Sequence, residues 1–326
     1  MIESMVAFPL ALGLILFAQI GEVRREVRMV VYWLLLALGT LIILAGVVVM
    51  VAPHTLNLAE SLLDSTQLGW TLLIAGGLIV LPTFAGTRFD RRSPSPRLAG
   101  IPWTHPVHLT AWALLVMFIG SNVALTSLES LSEIEITHPL TIIITQNITF
   151  VLAALLGVGW GVRRNWQGVT RRLGLSRPRG RDVWLGATMA LLMLMSTMLV
   201  GALVTIMFGD GLAESTGFNQ QIIQQLPGVG GVLLMGFASG IGEELLYRGA
   251  LQPVARLWLT SLLFALSHIQ YLSPAIAIIF VLGLLLGAIR DRWGLNTAIW
   301  AHAVYNTLVG LFALLAMNFD QLTFGM

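Results

Sequence analysis

The chain of 326 residues contains no cysteine and no lysine, and only 10% of its residues are charged. Without cysteine it cannot form disulfides, use a thiolate as nucleophile or build a cysteine-based metal site. Soluble domains have about 25% charged residues, so a chain that is 56% hydrophobic cannot cover its surface with polar groups. Such a surface is stable in lipid. The basic residues form no nucleic-acid-binding motif, so we expect membrane lipid and no nucleic acid as a partner.

Apolar runs long enough to cross a bilayer recur along the chain and predict an all-α, polytopic membrane helix bundle. We expect about ten transmembrane helices, near Met5–Gly21, Met29–Ala52, Leu68–Phe84, Val107–Leu125, Pro139–Val162, Val183–Phe208, Gly230–Tyr247, Leu257–Tyr271, Pro274–Ile289 and Leu295–Met317. The first run lacks the preceding basic residues of a cleavable signal peptide, so we interpret it as a span.

The basic residues, all 18 of them arginine, favour a count of ten. In the ten-span arrangement arginines occupy every second connection, and the connections between these contain none. The positive-inside rule places the arginine-containing connections in the cytoplasm. We therefore expect a multi-pass protein of the cell membrane with both termini outside.

The Arg-rich connection 163–182 divides the chain. Its Ser176, Pro178 and Gly180 suit an irregular cytoplasmic linker. Residues 1–162 would then form an N-terminal transmembrane bundle of unassigned role, and residues 183–317 a C-terminal core.

Ionisable side chains inside membrane helices cost a few kcal/mol each, and here they concentrate in three helices of the C-terminal core. These are Glu243, Glu244 and Arg248 in the seventh span, His268 in the eighth, and His302 with Asn306 in the tenth. Glu244 and Arg248, four residues apart, share a helical face and can form an ion pair. Glu243 lies roughly 100° around the helix from Glu244 and has no such partner. We interpret Glu243 as a general base or acid.

The ionisable groups of the three helices lie at similar depth. Glu243 and His268 are almost equally far along the chain from Arg256, and His302 is slightly nearer to Arg292. A rise of about 1.5 Å per residue places all three roughly 15–20 Å from the cytoplasmic side. Independent structural pairs need not coincide in this way, so the pattern favours one shared site. The argument assumes straight helices, an assumption that Pro253 weakens for the first.

In these residues the sequence resembles the CPBP family of intramembrane proteases, which includes type II CAAX prenyl endopeptidases and bacteriocin-immunity (Abi) proteins. The family is marked by Glu-Glu-x-x-x-Arg, Phe-x-x-x-His and His-x-x-x-Asn on successive membrane helices. All three motifs occur in order, as Glu243-Glu244…Arg248, Phe264…His268 and His302…Asn306. The resemblance covers roughly residues 183–317. The interval from Glu243 to His268 is shorter than the family usually has, which predicts a short or displaced eighth helix.

The resemblance implies an intramembrane endopeptidase that hydrolyses a peptide bond in a membrane-associated protein or peptide. It implies that Glu243 and His268 activate a water, that His302 and Asn306 stabilise the oxyanion, and that Glu244 with Arg248 is a supporting ion pair. A Zn²⁺ ion on Glu243, His268 and His302 would leave a position for water. No His-Glu-x-x-His motif is present, so we expect a metal-independent glutamate mechanism and no firm cofactor.

Two other classes of function stay open. A non-catalytic membrane scaffold or immunity protein of the same family could retain these residues. A transporter with an intramembrane proton relay would be expected to show inverted repeats or matching broken helices, and the sequence shows neither. Loss of substrate cleavage in Glu243→Ala would separate the enzyme from the scaffold.

The predicted topology can be tested with single cysteines, because the chain has none of its own. A membrane-impermeant thiol reagent applied from outside should label a cysteine at Glu133, in a predicted external connection, and spare a cysteine at Arg171, in a predicted cytoplasmic one. Permeabilised cells provide the control, in which both should react. Equal labelling in intact cells would contradict the topology.

Overall fold

The computed structural model describes residues 2–52, 65–88, 97–98, 101–128, 137–209, 212–268 and 274–324. Helices dominate these ranges, which confirms the all-α class. They are α1 (Ile2–Val23), α2 (Arg25–Val51), α3 (Ser65–Arg88), α4 (Pro106–Leu128), α5 (Pro139–Gly157), α6 (Trp166–Leu173), α7 (Gly180–Phe208), α8 (Ala213–Gln224), α9 (Gly228–Glu243), α10 (Gln252–Leu266), α11 (Ile276–Trp293) and α12 (Leu295–Phe324). A π-helix (Glu244–Leu251) joins α9 to α10, and the short strands β1 (Arg97–Leu98) and β2 (Ile101–Pro102) pair antiparallel.

Within the described ranges, seven helices are long and apolar enough to cross a membrane, so the chain is a multi-pass membrane protein. The predicted count of ten is not confirmed. α1 contributes only the shorter apolar stretch Phe8–Val23, and α11, which ends in charged residues, is not among the seven. The stretch Gly228–Leu266 counts as one helix of 39 residues. Residues 269–271 of the predicted eighth span lie outside the described residues.

The stretch Gly228–Leu266 is not one straight rod, because the chain reverses near Arg256. Arg256 has the non-helical backbone angles φ 61° and ψ 173°. The Tyr247 hydroxyl donates a 2.8 Å hydrogen bond to Ser267, 20 residues later, whereas a straight helix would separate these residues by about 30 Å. The residues before and after Arg256 therefore form the two arms of a helical hairpin.

The chain forms two compact units. The N-terminal unit comprises Met1–Glu133 and Gly159–Arg164, and the C-terminal unit comprises Ile134–Val158 and Asn165–Met326. The sequence-based division grouped all of residues 1–162, but α5 lies in the C-terminal unit because it packs on α9 and the π-helix.

A buried polar cluster explains why the short segment Gly159–Arg164 belongs to the N-terminal unit. The Glu22 carboxylate of α1 contacts His105 Nδ1 at 3.0 Å and accepts a 3.3 Å hydrogen bond from the Val107 amide. Arg163 donates a 2.6 Å hydrogen bond to the side chain of Gln19 and lies 3.7 Å from Glu22. Arg163 thus attaches the segment to α1, and Glu22 in turn joins α1 to the start of α4.

The Arg-rich connection is more ordered than the irregular linker predicted from its composition. Asn165 caps α6 by accepting a 2.9 Å hydrogen bond from the Gly168 amide. Val169 and Leu173 on one face of α6 are fully buried in an apolar cluster that includes Leu245 of the π-helix. The arginine content of this connection predicts a solvated linker, whereas the structure buries the apolar face of α6.

Arg172 of α6 also binds the end of the π-helix. Its guanidinium donates hydrogen bonds of 3.2 Å and 3.3 Å to the carbonyl oxygens of Gly249 and Ala250. Arg172 therefore ties α6 to the end of the π-helix.

Small residues let α9 and α12 approach closely. A Cβ added at Gly240 would lie 2.8 Å from both the Cβ and the amide nitrogen of Ala303. One turn earlier, a Cβ at Gly236 would collide with Thr307 of α12. This Gly-x-x-x-Gly face is a common way for membrane helices to pack backbone against backbone. It places the C-terminal end of α9 beside the first turns of α12.

The close crossing can be tested by adding a single methyl group. Gly240→Ala should destabilise the protein by about 1–3 kcal/mol, because the new methyl overlaps Ala303 in a packed contact. Gly230→Ala in the same helix is the matched control, since a Cβ there has no atom within 4 Å. Thermal unfolding in detergent measures both. Equal stability of the two variants would contradict the crossing.

Candidate active site

The C-terminal unit brings the ionisable residues of its helices together. Glu243 is the last residue of α9, Glu244 the first of the π-helix, His268 follows the end of α10, and His302 lies in the first half of α12. The hairpin at Arg256 returns the chain to the level of Glu243, so the short interval before His268 still allows contact.

Glu243 faces both histidines with the same oxygen. The residue is 7% exposed, and its Oε2 lies 3.7 Å from His268 Nε2 and 4.0 Å from His302 Nε2. This oxygen accepts no hydrogen bond from any residue that the structure describes. Both distances exceed the roughly 2.7–3.2 Å of a direct hydrogen bond, but one water could contact all three atoms.

His268 is oriented by the backbone of α10. Its Nδ1 lies 2.7 Å from the carbonyl oxygen of Phe264. A carbonyl only accepts, so Nδ1 carries a proton and Nε2 is the nitrogen that faces Glu243.

His302 is oriented by the neighbouring carboxylate. Its Nδ1 lies 2.9 Å from Glu244 Oε1, and an ionised carboxylate likewise only accepts. Nδ1 therefore donates to Glu244, and Nε2 faces Glu243. The two histidines come from different helices, yet each uses Nδ1 for support and directs Nε2 at the same carboxylate oxygen.

Arg248 forms the predicted ion pair with Glu244. The residue is fully buried, and its Nε lies 3.6 Å from Glu244 Oε2. Its guanidinium also donates to the Gly283 carbonyl at 3.4 Å and stacks 4.3 Å from the ring centre of Phe264, a cation–π contact. Phe264 thus serves two residues, because its ring contacts Arg248 and its carbonyl holds His268.

Asn306 is one turn beyond His302 on α12, as predicted, and is half-buried. No contact within the described part of the chain joins its side chain to Glu243 or His268. Its convergence on the site stays a prediction.

Access to the site is greatest at His268. Its side chain is 21% exposed, compared with 10% for Glu243 and 5% for His302. A substrate or water would therefore meet His268 first.

The described side chains do not fit a metal ion. Among the residues that the structure describes, no group of three or more His, Asp or Glu side chains is arranged to hold one.

Several contacts of the site were not foreseen. The Glu244–His302 hydrogen bond joins two helices, and residue spacing does not show which face each helix turns toward the other. The sequence indicates only that the two residues lie at similar depth in the membrane. The π-helix also had no sequence signal, although π-helical turns are frequent at functional sites. Gly242, which precedes Glu243, packs directly on Asn147 of α5.

Comparisons with known proteins match part of the chain. Residues 225–308 match the family model described as type II CAAX prenyl endopeptidase Rce1-like, a range that includes Glu243, His268 and His302. The chain is 31% identical over 131 residues to the uncharacterized protein YpbD of Bacillus subtilis (strain 168), an alignment that covers 39% of this chain and 67% of that protein. No solved structure matches the chain.

Replacing the carboxylate that serves both Arg248 and His302 should damage the fold. Glu244→Gln leaves a buried guanidinium without its counter-charge, which should cost about 3–5 kcal/mol of stability. The control is Asp291→Asn. The Asp291 side chain is 51% exposed and pairs with Arg290, so losing its charge should cost less than about 1 kcal/mol of stability. Denaturation in detergent measures both. A Glu244→Gln variant as stable as the control would show that the ion pair is not structural.

Proposed function

The chain belongs to the Rce1-like family of type II CAAX prenyl endopeptidases, and on that basis we propose that it is an intramembrane endopeptidase. It hydrolyses a peptide bond in a membrane-associated substrate by means of an activated water. The observation that supports this most directly is the Glu243 carboxylate oxygen, buried and facing the Nε2 atoms of His268 and His302.

Glu243 is the proposed general base. A water held between Glu243 Oε2 and His268 Nε2 can give a proton to the carboxylate as its oxygen attacks the peptide carbonyl. His268 accepts a hydrogen bond from the same water and so orients it. The fixed Nδ1–Phe264 bond supports this role, because it keeps Nε2 free to accept.

His302 is the proposed donor to the oxyanion, together with Asn306. Since Nδ1 is bonded to Glu244, Nε2 can donate only when the ring carries both protons. The Glu244 carboxylate is then the counter-charge of the imidazolium, in the way that a buried Asp supports the His of a serine protease. Glu244 would thus support catalysis as well as the fold.

The proposed reaction balances without any co-reactant other than water. The water oxygen forms the new C–O bond, and one water proton moves to Glu243. As the tetrahedral intermediate collapses, the C–N bond breaks and Glu243 returns that proton to the leaving nitrogen. The carboxylate of Glu243 is then ready for another turnover.

The substrate is proposed only as a class. A site within membrane helices is reached most readily by a protein or peptide that is itself associated with the membrane. The family description refers to prenylated substrates; for this chain, prenylation is a question for experiment. We also propose that the protein lies in the cell membrane with both termini outside.

Removing the base should abolish cleavage while leaving the fold intact. Glu243→Gln keeps the size of the side chain but cannot accept the water proton, so activity should fall by a factor of about 10² to 10⁴. The measurement compares membrane proteomes of cells that express wild type or variant, and looks for a cleavage product that the variant lacks. Glu26→Gln, an exposed residue of α2, is the control.

Two further outcomes are informative. If wild type and Glu243→Gln give the same membrane proteome, the chain is better described as a non-catalytic scaffold of the family. If a chelator stops cleavage and added Zn²⁺ restores it, the metal-independent mechanism is wrong. Thermal unfolding of each variant shows whether lost activity reflects chemistry or folding.

A further inference from the structure

A hydrogen bond outside the motif residues links the segment that carries Glu243 to the residue before His268. The hydroxyl of Tyr247, in the π-helix, donates to Ser267 Oγ at 2.8 Å. Tyr247 is 1% exposed, and its ring is held edge-on by Phe264 and Phe150, at centroid distances of 5.2 Å and 6.3 Å. The position of the hydroxyl is therefore fixed by packing.

The Phe264 carbonyl connects Ser267 to His268. Ser267 Oγ donates to the carbonyl oxygen of Phe264 at 2.8 Å, and His268 Nδ1 bonds the same oxygen at 2.7 Å. Ser267 has a single hydroxyl proton, so it can make its bond to Phe264 and still accept from Tyr247. Each group in the series has one consistent role, and the series ends with His268 Nε2 facing Glu243.

The end of α10 needs such a support. The helix ends at Leu266, and Ser267 is its cap, so the backbone of His268 is held only by one bond to the last turn, from its amide to the Ala265 carbonyl at 3.0 Å. The imidazole can keep its orientation only while the Phe264 carbonyl stays in place. The Tyr247–Ser267 bond joins this end of α10 to the π-helix, immediately beside Arg248.

We propose that Tyr247 is a positioning residue which, through Ser267, holds His268 Nε2 toward Glu243. The inference rests on the proposed function, since it assigns a role in the same reaction. Tyr247 occupies one of the unspecified positions between Glu244 and Arg248, so the motif itself does not require it. Its hydroxyl contributes orientation and does not touch the reacting atoms.

The first test is kinetic. Tyr247→Phe removes only the hydroxyl, and Ser267→Ala removes its partner. Each variant should lower kcat by about ten- to a hundredfold, because a small misplacement of a catalytic group is costly, while KM stays near the wild-type value. The double variant should be no slower than the slower single variant, since both substitutions break one bond.

Two matched controls separate positioning from general loss of a buried hydrogen bond. Tyr32→Phe removes a buried 2.7 Å bond to the Thr104 carbonyl in the N-terminal unit. Ser261→Ala removes a 2.8 Å bond to the Leu257 carbonyl within α10 itself. Both should keep the wild-type kcat. If the controls lose as much kcat as the test variants, the positioning role is overturned.

The second test does not depend on catalysis. Protein labelled with ¹³C and ¹⁵N at histidine reports the tautomer of each ring by NMR, and His268→Gln assigns the His268 signals. Wild type should show a single Nδ1–H tautomer at His268. Tyr247→Phe and Ser267→Ala should show a mixture or exchange-broadened signals, whereas Tyr32→Phe should match wild type.

The two tests distinguish the possible failures. If wild type cleaves no substrate, the proposed function fails and the NMR measurement alone decides the positioning role. If cleavage is found but Tyr247→Phe keeps both the wild-type kcat and the wild-type His268 spectrum, the inference is wrong. Should Tyr247→Phe not fold, Ser267→Ala gives the same test without altering the aromatic packing.

Discussion

Glu244 places a full negative charge where no water reaches it, and the surrounding contacts follow from the need to neutralise that charge. An isolated carboxylate in an apolar interior is strongly unfavourable. Here one oxygen faces Arg248 of the π-helix and the other accepts a hydrogen bond from His302 of α12. The bond to His302 also decides which ring nitrogen faces Glu243. The contacts that neutralise Glu244 therefore also orient the His302 ring beside the preceding residue, Glu243. One Glu243 oxygen faces the imidazoles of both His302 and His268.

The packing that allows this arrangement comes from residues with no chemistry of their own. Gly240 and Ala303 bring α9 against α12, without which Glu244 could not reach His302. Arg172 supplies donors to two carbonyls of the π-helix. Phe264 connects the two sides of the site, because its ring lies against Arg248 and its carbonyl receives His268. The polar contacts are few, and each depends on a close apolar fit.

The sequence predicted the features that depend on the free-energy cost of burying charge in lipid or on the spacing of residues along one helix. Low charge and long apolar runs predicted the membrane class. Because charge in lipid is expensive, the similar depth of Glu243, His268 and His302 predicted that they share one site. Helical spacing similarly predicted the Glu244–Arg248 pair. The sequence was uninformative where the outcome depends on how helices rotate and bend against each other. Three features depend on such packing and were not predicted: the reversal at Arg256, the π-helix and the placement of α5 in the C-terminal unit. The predicted count of ten spans is not confirmed.

The membership of α5 in the C-terminal unit has a consequence for biosynthesis. A polytopic protein enters the membrane from its N-terminus onward, so α5 is inserted before the helices on which it finally packs have been translated. Asn147 meets Gly242 only once α9 has been made. Premature association of α5 with the finished N-terminal helices would leave Glu243 and Glu244 without one of the walls of their site. The sequence must therefore keep α5 available for α9 during synthesis, and must also make the completed fold stable.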